Sequence, residues 1–314
     1  MSRLCKFIEK INTQAGFTGE LRYDEPLARH TTFKVGGPAD VWVRPRGEGF
    51  PEYAAALLGR AGAEGIPVFI LGGGANLLVA DRGVRGIVLD TSGWKGRRLL
   101  PGKDAVLVRA GTPVDTLGDE LAAENRGGPE FLAGMPGTLG GALWMNARCY
   151  ERSLSDILIE AEILDEAQRR VTIPRREGDF AYKKSPFQNR PVLILSGTLA
   201  LEPRSGEDIR REAAEHRRDR EAKGHYRCPS AGSAFIYKRN FGKPTGKFID
   251  ELGLRGFRVG GAQVAPWHGN MIINTGDALA ADIRSLVYEV AARVKAAAGF
   301  DLEPEIIFAG DWGD

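Results

Sequence analysis

The sequence is poor in cysteine, in net charge and in long apolar runs, and each shortage excludes a class of protein. The 314 residues include three cysteines: Cys5, Cys149 and Cys228. A disulfide framework needs more cysteines and usually an even number of them. Their spacing suits no zinc site, so we expect no bound metal. The net charge of +2 gives no argument for a nucleic acid or an anionic membrane as partner. No apolar run reaches the roughly 18 residues of a membrane span. Because the cysteines are sparse, we expect a protein of the reducing cytoplasm, and we expect a monomer.

Glycine is the residue in excess. It supplies 41 of the 314 residues, nearly twice the average share of about 7%. The glycines gather at 72–74, at 134–141 and at 260–261 rather than in low-complexity tracts. Because glycine has no side chain and readily adopts positive φ, such clusters allow a backbone to approach a ligand closely.

Hydrophobic patterning predicts a long first region of strands and helices. Strands are predicted at 41–43, 67–71, 86–89, 105–110, 157–164, 170–173 and 192–201, and a helix at 48–64. Thr112 and Pro113 are the N-cap and the first residue of another predicted helix. Residues 202–206 are rich in turn formers and are predicted to be a linker.

A smaller region with its own strands and helices follows this linker. Helices are predicted at 207–223 and 277–298, and strands at 233–237, 257–264 and 271–273. The pattern indicates an α+β fold without a long internal repeat. The basic residues of the first helix are interleaved with acidic ones, which favours a solvated face over a role with phosphates.

The first glycine segment is a weak signal by itself. Residues 72–78 follow a predicted strand, so their backbone N–H groups can surround a pyrophosphate, and Asn76 can add a donor. No Gly-Lys-Ser/Thr follows, as a P-loop requires, and no G-x-G-x-x-G opens a helix, as a Rossmann fold requires. A tight turn explains the triplet equally well.

The second glycine segment, residues 130–142, is more specific. Four glycines fall within eight positions and Pro136 stiffens the turn, so this loop can lie against a flat ring. The alternative is a packed crossover loop. It is less favoured, because buried backbone with so little side chain needs partners for its polar groups.

An ordered set of motifs resembles one known family, that of UDP-N-acetylenolpyruvoylglucosamine reductase, also called UDP-N-acetylmuramate dehydrogenase. The set comprises Thr31–Gly37, both glycine segments, Met145-Asn146-Ala147, Pro229–Ser233, Gly260–Val264 with His268-x-Asn270, and Leu302–Glu305. The resemblance implies a two-lobed FAD-binding domain of the vanillyl-alcohol-oxidase type at 1–204, with lobes of about 1–90 and 91–204, completed by 302–314. It implies a substrate-binding domain at 205–301. The short spacing from Lys183 to Ser233 resembles the second type of the family, which lacks a long substrate-loop insertion.

The resemblance also implies the chemistry and the residues that carry it. In the family, NADPH and non-covalent FAD reduce the enolpyruvyl group of a UDP-amino-sugar to UDP-N-acetylmuramate in peptidoglycan synthesis. The implied FAD contacts are Gly72, Gly73, Gly74, Ala75, Asn76, Leu77, Gly134, Pro136, Gly137, Thr138, Gly140 and Gly141. The reaction needs a proton donor and a polarised substrate carboxylate as well as a hydride. By motif, Ser233 matches the proton donor and Glu305 the family glutamate.

The sequence departs from the family near the chemistry. The family pattern Tyr-Arg-x-Ser-x-Phe becomes Tyr182-Lys183-Lys184-Ser185-Pro186-Phe187, so the position of the catalytic arginine holds Lys183. Lysine keeps the charge but lacks the planar fork that grips a carboxylate. The family's Phe-Lys-Asn becomes Phe235-Ile236-Tyr237, so an expected diphosphate contact is lost, and Lys238, Arg239 or Asn240 is the expected substitute. The implied substrate-binding residues are Tyr182, Tyr237, Lys238, Asn240 and His268, although bracing of a loop is the favoured role of His268.

Two other functions are compatible with this sequence. One is an FAD oxidase of the same fold, which hands its electrons to oxygen. The other is a paralogue that binds a flavin or a nucleotide without turnover. Cys149 lies near the second glycine segment, and a small buried thiol is a better interpretation of it than a covalent link to the flavin.

Overall fold

The computed structural model describes residues 3–238 and 241–313, which divide into two compact units. The first consists of Met1–Tyr23, Val41–Gly73 and Gly86–Arg218, and the second of Asp24–Asp40, Gly74–Arg85 and Asp219–Asp314. Both combine helices with sheets, so the predicted α+β fold class is confirmed. Within the described ranges, no helix is long and apolar enough to cross a membrane.

Most helices and strands follow the apolar patterns of the sequence, but the strand predicted at 233–237 covers Ser230–Ser233 instead. The α-helices are α1 (Arg3–Gln14), α2 (Phe50–Ala63), α3 (Leu117–Ala122), α4 (Leu139–Trp144), α5 (Gly206–Ala222), α6 (Thr245–Glu251) and α7 (Ala280–Ala298). The strands are β1 (Gly19–Pro26), β2 (Pro38–Pro45), β3 (Val68–Leu71), β4 (Leu77–Val79), β5 (Val84–Asp90), β6 (Arg97–Leu99), β7 (Ala105–Arg109), β8 (Arg126–Gly127), β9 (Arg148–Cys149), β10 (Arg152–Ser153), β11 (Leu158–Leu164), β12 (Arg170–Pro174), β13 (Leu193–Ala200), β14 (Glu202–Pro203), β15 (Ser230–Ser233), β16 (Arg258–Val259), β17 (Ala262–Val264), β18 (Met271–Asn274) and β19 (Ile307–Ala309).

Two sheets organise the first unit. One has the strand order β1-β2-β5-β3, with β3 and β5 parallel, and the other is antiparallel with the order β12-β11-β13-β7-β6. The short helix α4 packs on β13 and β7. The first glycine segment starts where β3 ends, and the second contains the start of α4, which packs on β13 and β7.

An antiparallel sheet and one long helix organise the second unit. The strand order is β15-β18-β17-β16, and α7 packs against β16, β17 and β18. The buried face of α7 repeats at helical spacing, which is why the sequence pattern predicted it; it includes Ile283, Leu286, Val287, Val290 and Val294. Gly299 ends the helix in the left-handed conformation at φ 72°.

Several local predictions are wrong, each for a reason visible in the contacts. Helix α3 begins at Leu117, because the Thr112 hydroxyl is bound to both backbone groups of Gly96 at 3.0 and 3.1 Å and caps no helix. The predicted strand at 257–264 is a hairpin, since Gly260 turns the chain at φ 52°. The predicted linker at 202–206 contains β14, which pairs with β8.

The compact units also differ from the predicted domain boundaries at 204 and 301. Residues 205–218 group with the first unit, where Arg217 of α5 is bound to Asp115 and Asp119. Residues 302–314 group with 74–85, because β19 pairs in parallel with β4. The assignment of a function to each range stays a prediction.

Candidate active site

Within the first unit, the start of the first glycine segment touches the second segment through bare backbone. A Cβ atom added at Gly73 would lie 2.6 Å from the Cα atom of Gly137, and one added at Gly72 would lie 2.9 Å from the Thr138 Oγ1 atom. A side chain at Gly73 would therefore require the backbone to move, and one at Gly72 would require the Thr138 side chain to move. Gly73 and Gly141 are exposed, so this surface, which we call the glycine cradle (Gly72, Gly73, Gly137, Thr138 and Gly141), presents backbone to solvent.

The glycine cradle contains a polar atom without a partner. The Thr138 Oγ1 atom is buried and has no hydrogen-bond partner among the described residues. Thr138 is the N-cap of α4, yet its side chain makes no capping bond. An unpaired buried hydroxyl is costly unless a ligand or an ordered water satisfies it. The residues present therefore fit a flat polar ligand such as FAD, with Thr138 as a hydrogen-bonding group.

Not every predicted glycine contact belongs to this cradle. The Gly140 amide donates to the Ala110 carbonyl at 2.8 Å, and a Cβ atom there would meet the Ala110 side chain at 3.0 Å. The Gly134 amide donates to the Asp115 carboxylate at 2.7 Å, with φ at 75°. Gly140 therefore serves packing and Gly134 serves turn formation. Pro136, two residues after Gly134, is exposed.

The predicted FAD contacts of the second unit also have structural partners. A Cβ atom at Gly74 would lie 1.9 Å from the His30 carbonyl oxygen, so packing alone requires glycine there. The Ala75 carbonyl accepts from the Thr32 hydroxyl, and the Asn76 side chain donates to the Glu305 carbonyl at 2.8 Å. Leu77 begins β4. A flavin contact by these residues stays a prediction.

Lys183 occupies a tight turn in the first unit. The turn is closed by two backbone hydrogen bonds between Ala181 and Lys184, of 3.0 and 3.1 Å. Lys183 has φ at 59°, a conformation that residues other than glycine rarely adopt. Its Nζ atom lies 5.8 Å from the centre of the Tyr182 ring, and Tyr182 is exposed. The cation is therefore presented from a defined backbone position.

In the second unit, the structure brings the chain around Ser233 next to the chain around Glu305. The Glu305 amide donates to the Ala234 carbonyl at 2.8 Å, and the Ile236 amide donates to the Glu303 carbonyl at 2.9 Å. Glu305 is 9% exposed. Ser233 ends β15 beyond a register shift, and bulges of this kind re-aim side chains. The two residues thus lie on paired segments, as the motif match requires.

Asn270 holds the segment after Ser233 in place. Its side-chain oxygen accepts from the Phe235 amide at 3.0 Å, and its side-chain nitrogen donates to the Phe235 carbonyl at 2.9 Å. The Asn270 amide donates to the His268 Nδ1 atom at 3.2 Å. His268 therefore braces this loop, which was its favoured role. The sequence marked Asn270 as part of a motif but gave no sign of its side-chain contacts.

Two of the remaining predicted substrate-binding residues, Tyr237 and Lys238, are surface groups of the second unit. Tyr237 is exposed, and the Lys238 Nζ atom lies 3.0 Å from the Glu303 carboxylate. This ion pair competes with any contact between Lys238 and a diphosphate. Asn240 and Arg239 lie outside the described residues.

Two partly buried histidines, His225 and His268, predict a pH dependence of stability. Burial, with repulsion from Arg220 and His268, lowers the pKa of His225 to about 4 from the ordinary value of 6.5. Burial also lowers the pKa of His268. Between pH 6.5 and about pH 4, the unfolded chain binds a proton at His225 that the folded chain does not bind. The free energy of unfolding therefore falls as the pH falls.

The variant His225→Gln is expected to weaken this dependence, because it removes one of the groups that must be protonated on unfolding. Thermal unfolding of the wild type and the variant between about pH 7 and about pH 4.5 measures it. Equal losses of Tm in the two proteins would show that His225 does not contribute.

The comparisons with known proteins agree with this geometry. Residues 51–173 match the model of the FAD binding domain family, and residues 224–309 match that of the UDP-N-acetylenolpyruvoylglucosamine reductase C-terminal domain. The glycine cradle and these matches define a protein with an FAD-binding domain and a separate reductase C-terminal domain. The chain belongs to the UDP-N-acetylenolpyruvoylglucosamine reductase family, as its motifs indicated.

The similarity extends over nearly the whole chain. The UDP-N-acetylenolpyruvoylglucosamine reductase of Treponema denticola is 40% identical over 319 residues, which cover 96% of this chain and 97% of the relative. That of Moorella thermoacetica is 38% identical over 301 residues, or 96% of each. The crystal structure of the reductase from Thermus caldophilus is 32% identical, covers 93% of this chain and 99% of its own, and gives a TM-score of 0.75.

Proposed function

We propose that this protein reduces UDP-N-acetylglucosamine enolpyruvate to UDP-N-acetylmuramate in peptidoglycan synthesis, with NADPH as hydride donor and non-covalent FAD. Membership of the reductase family supports the substrate and the reaction. The observation that carries the proposal is the glycine cradle, where backbone meets backbone at Gly73 and Gly137 beside the Thr138 hydroxyl, which has no partner within the described part of the chain.

The residues of the cradle would hold FAD by close backbone approach. Gly141 leaves room for a flat ring, Gly72 and Gly73 let the two segments pack closely beside it, and the Thr138 hydroxyl would satisfy its hydrogen-bonding capacity on the ligand. FAD, when bound, supplies the redox chemistry, which is the transfer of a hydride from NADPH to the terminal carbon of the enol ether.

The protein itself supplies a proton and a positive charge. Ser233 donates the proton to the carbon that carries the carboxylate, and Glu305 is the second catalytic residue. Lys183 binds the substrate carboxylate, which stabilises the charge that develops as the hydride arrives. The ordered backbone around Ser233, held by Asn270, limits the movement of the donor.

Anaerobic stopped-flow measurements test the proposal and separate its alternatives. The purified protein is reconstituted with FAD, reduced with NADPH and mixed with the enolpyruvyl substrate or with oxygen. We expect rapid reoxidation by the substrate. A flavin that NADPH does not reduce but oxygen reoxidises would identify an oxidase, and a protein that binds FAD without turning over the enolpyruvyl substrate would be a non-catalytic paralogue.

The variant Gly141→Val is expected to weaken FAD binding on the order of tenfold or more, which corresponds to about 1.4 kcal/mol. A Cβ atom at Gly141 has room in the protein, with only the Thr138 Oγ1 atom at 3.9 Å, so the added side chain fills the cradle and not the core. Titration of the apoprotein with FAD measures the effect.

The control is Gly62→Val, which adds the same side chain to α2, where nothing lies within 4 Å of the new Cβ atom. It should bind FAD as the wild type does. Unchanged FAD affinity in Gly141→Val would place the flavin elsewhere.

A further inference from the structure

The turn that carries Lys183 has a conformation that its own residues do not favour. The third position of such a turn, at φ 59°, is usually glycine or asparagine. A lysine there needs contacts that impose the backbone geometry. The two hydrogen bonds that close the turn between Ala181 and Lys184 do not by themselves attach it to the rest of the unit.

One side-chain amide connects this turn to the helix of the glycine cradle. The Gln188 Nε2 atom donates to the Lys183 carbonyl at 3.1 Å and to the Trp144 carbonyl at 3.0 Å. Trp144 is the last residue of α4, whose N-cap is Thr138. Both protons of the Gln188 amide are thus used, one on the turn and one on the helix.

Two further bonds hold the ends of the turn but not Lys183 itself. The Asn146 side chain donates to the Ala181 carbonyl at 2.9 Å, and the Ser185 hydroxyl donates to the Trp144 carbonyl at 2.7 Å. Among these three polar side chains, Gln188 is the one that binds the Lys183 peptide directly.

We propose that Gln188 is a positioning residue for Lys183. It orients the Lys183 peptide relative to α4, and so sets the direction in which the side chain leaves the backbone. This matters more for lysine than for arginine, because the ammonium is a single point of charge on a flexible stem, without a planar fork that aligns itself on a carboxylate. The inference rests on the proposed function of Lys183.

A double-mutant cycle of Gln188→Met and Lys183→Ala tests the proposal in the FAD-loaded enzyme. Methionine keeps the length of the side chain and removes both donors. Two quantities are measured: the Kd of UDP-N-acetylmuramate by calorimetry, and the rate at which the enolpyruvyl substrate reoxidises the reduced flavin. A misplaced group near the chemistry costs up to about 10²-fold, and we expect Gln188→Met to lose about tenfold in reoxidation and to weaken product binding.

The decisive result is non-additivity. In the Lys183→Ala background, Gln188→Met should have no further effect on either quantity, because the residue that it positions is gone. Reduction of the flavin by NADPH should keep its rate in every variant. Gln188→Ala removes the same donors with a smaller side chain and should reproduce the loss. Gln168→Met, on the exposed turn between β11 and β12, is the matched control and should behave as the wild type.

The possible failures differ from one another. If the substrate does not reoxidise the wild type, the proposed function is wrong and this inference falls with it. If Lys183→Ala alone impairs reoxidation while Gln188→Met and Gln188→Ala do not, only the positioning role is overturned. Equal losses from Gln188→Met with and without Lys183 would also overturn it.

Discussion

Reoxidation of the reduced flavin by the enolpyruvyl substrate is expected to slow about 10²–10⁴-fold in Ser233→Ala, the typical cost of losing a general acid. Reduction by NADPH should keep its rate, because only the second half-reaction needs the proton. Anaerobic stopped-flow absorbance separates the two steps. The expectation depends on the position of Ser233 at the end of β15, beside the segment that pairs with Glu305.

Ser233→Cys is the matched variant for this prediction. A thiol fills nearly the same space and still carries a proton, so the variant should lie between Ser233→Ala and the wild type. Equal slowing of both half-reactions in Ser233→Ala would mean that the residue supports the fold or the flavin and donates no proton.

The second large effect is expected for Lys183→Ala. A hydrogen bond to a charged group contributes about 1.5–3 kcal/mol, so its loss should slow reoxidation by the substrate about 10–10²-fold. FAD binding should change much less. Lys184→Ala is the control, because it removes an exposed lysine from the adjacent position of the same turn. If Lys183→Ala reoxidises as the wild type does, Lys183 has no catalytic role in this enzyme.

Lys183→Arg tests what the departure from the family costs. Arginine restores the planar fork that binds a carboxylate through two parallel hydrogen bonds. The variant should keep or raise the rate of reoxidation if the pocket accepts the larger group. A sharp loss would indicate that the site has adapted to the ammonium of lysine.

Much of the fold followed from local patterns in the sequence. The apolar periodicity of α7 and the buried run of β13 identify these elements because each buries a face or both faces along its length. Glycine and proline spacing likewise marked residues 130–142 as a special segment, although its last residues form the start of α4 and not a loop.

The sequence by itself determined the elements, the glycine segments and the family, because these depend on neighbouring residues or on motifs in order. The tertiary structure alone decided that Gly73 meets Gly137 while Gly74 and Gly140 serve packing, that β4 pairs with β19, and that the Gln188 amide joins the turn of Lys183 to the Trp144 carbonyl. Each of these depends on contacts made after the chain has folded, in β4 and β19 between segments more than two hundred residues apart. Residue type and local spacing carry no information on which distant atom a glycine or an amide will meet, so no local pattern could have revealed them.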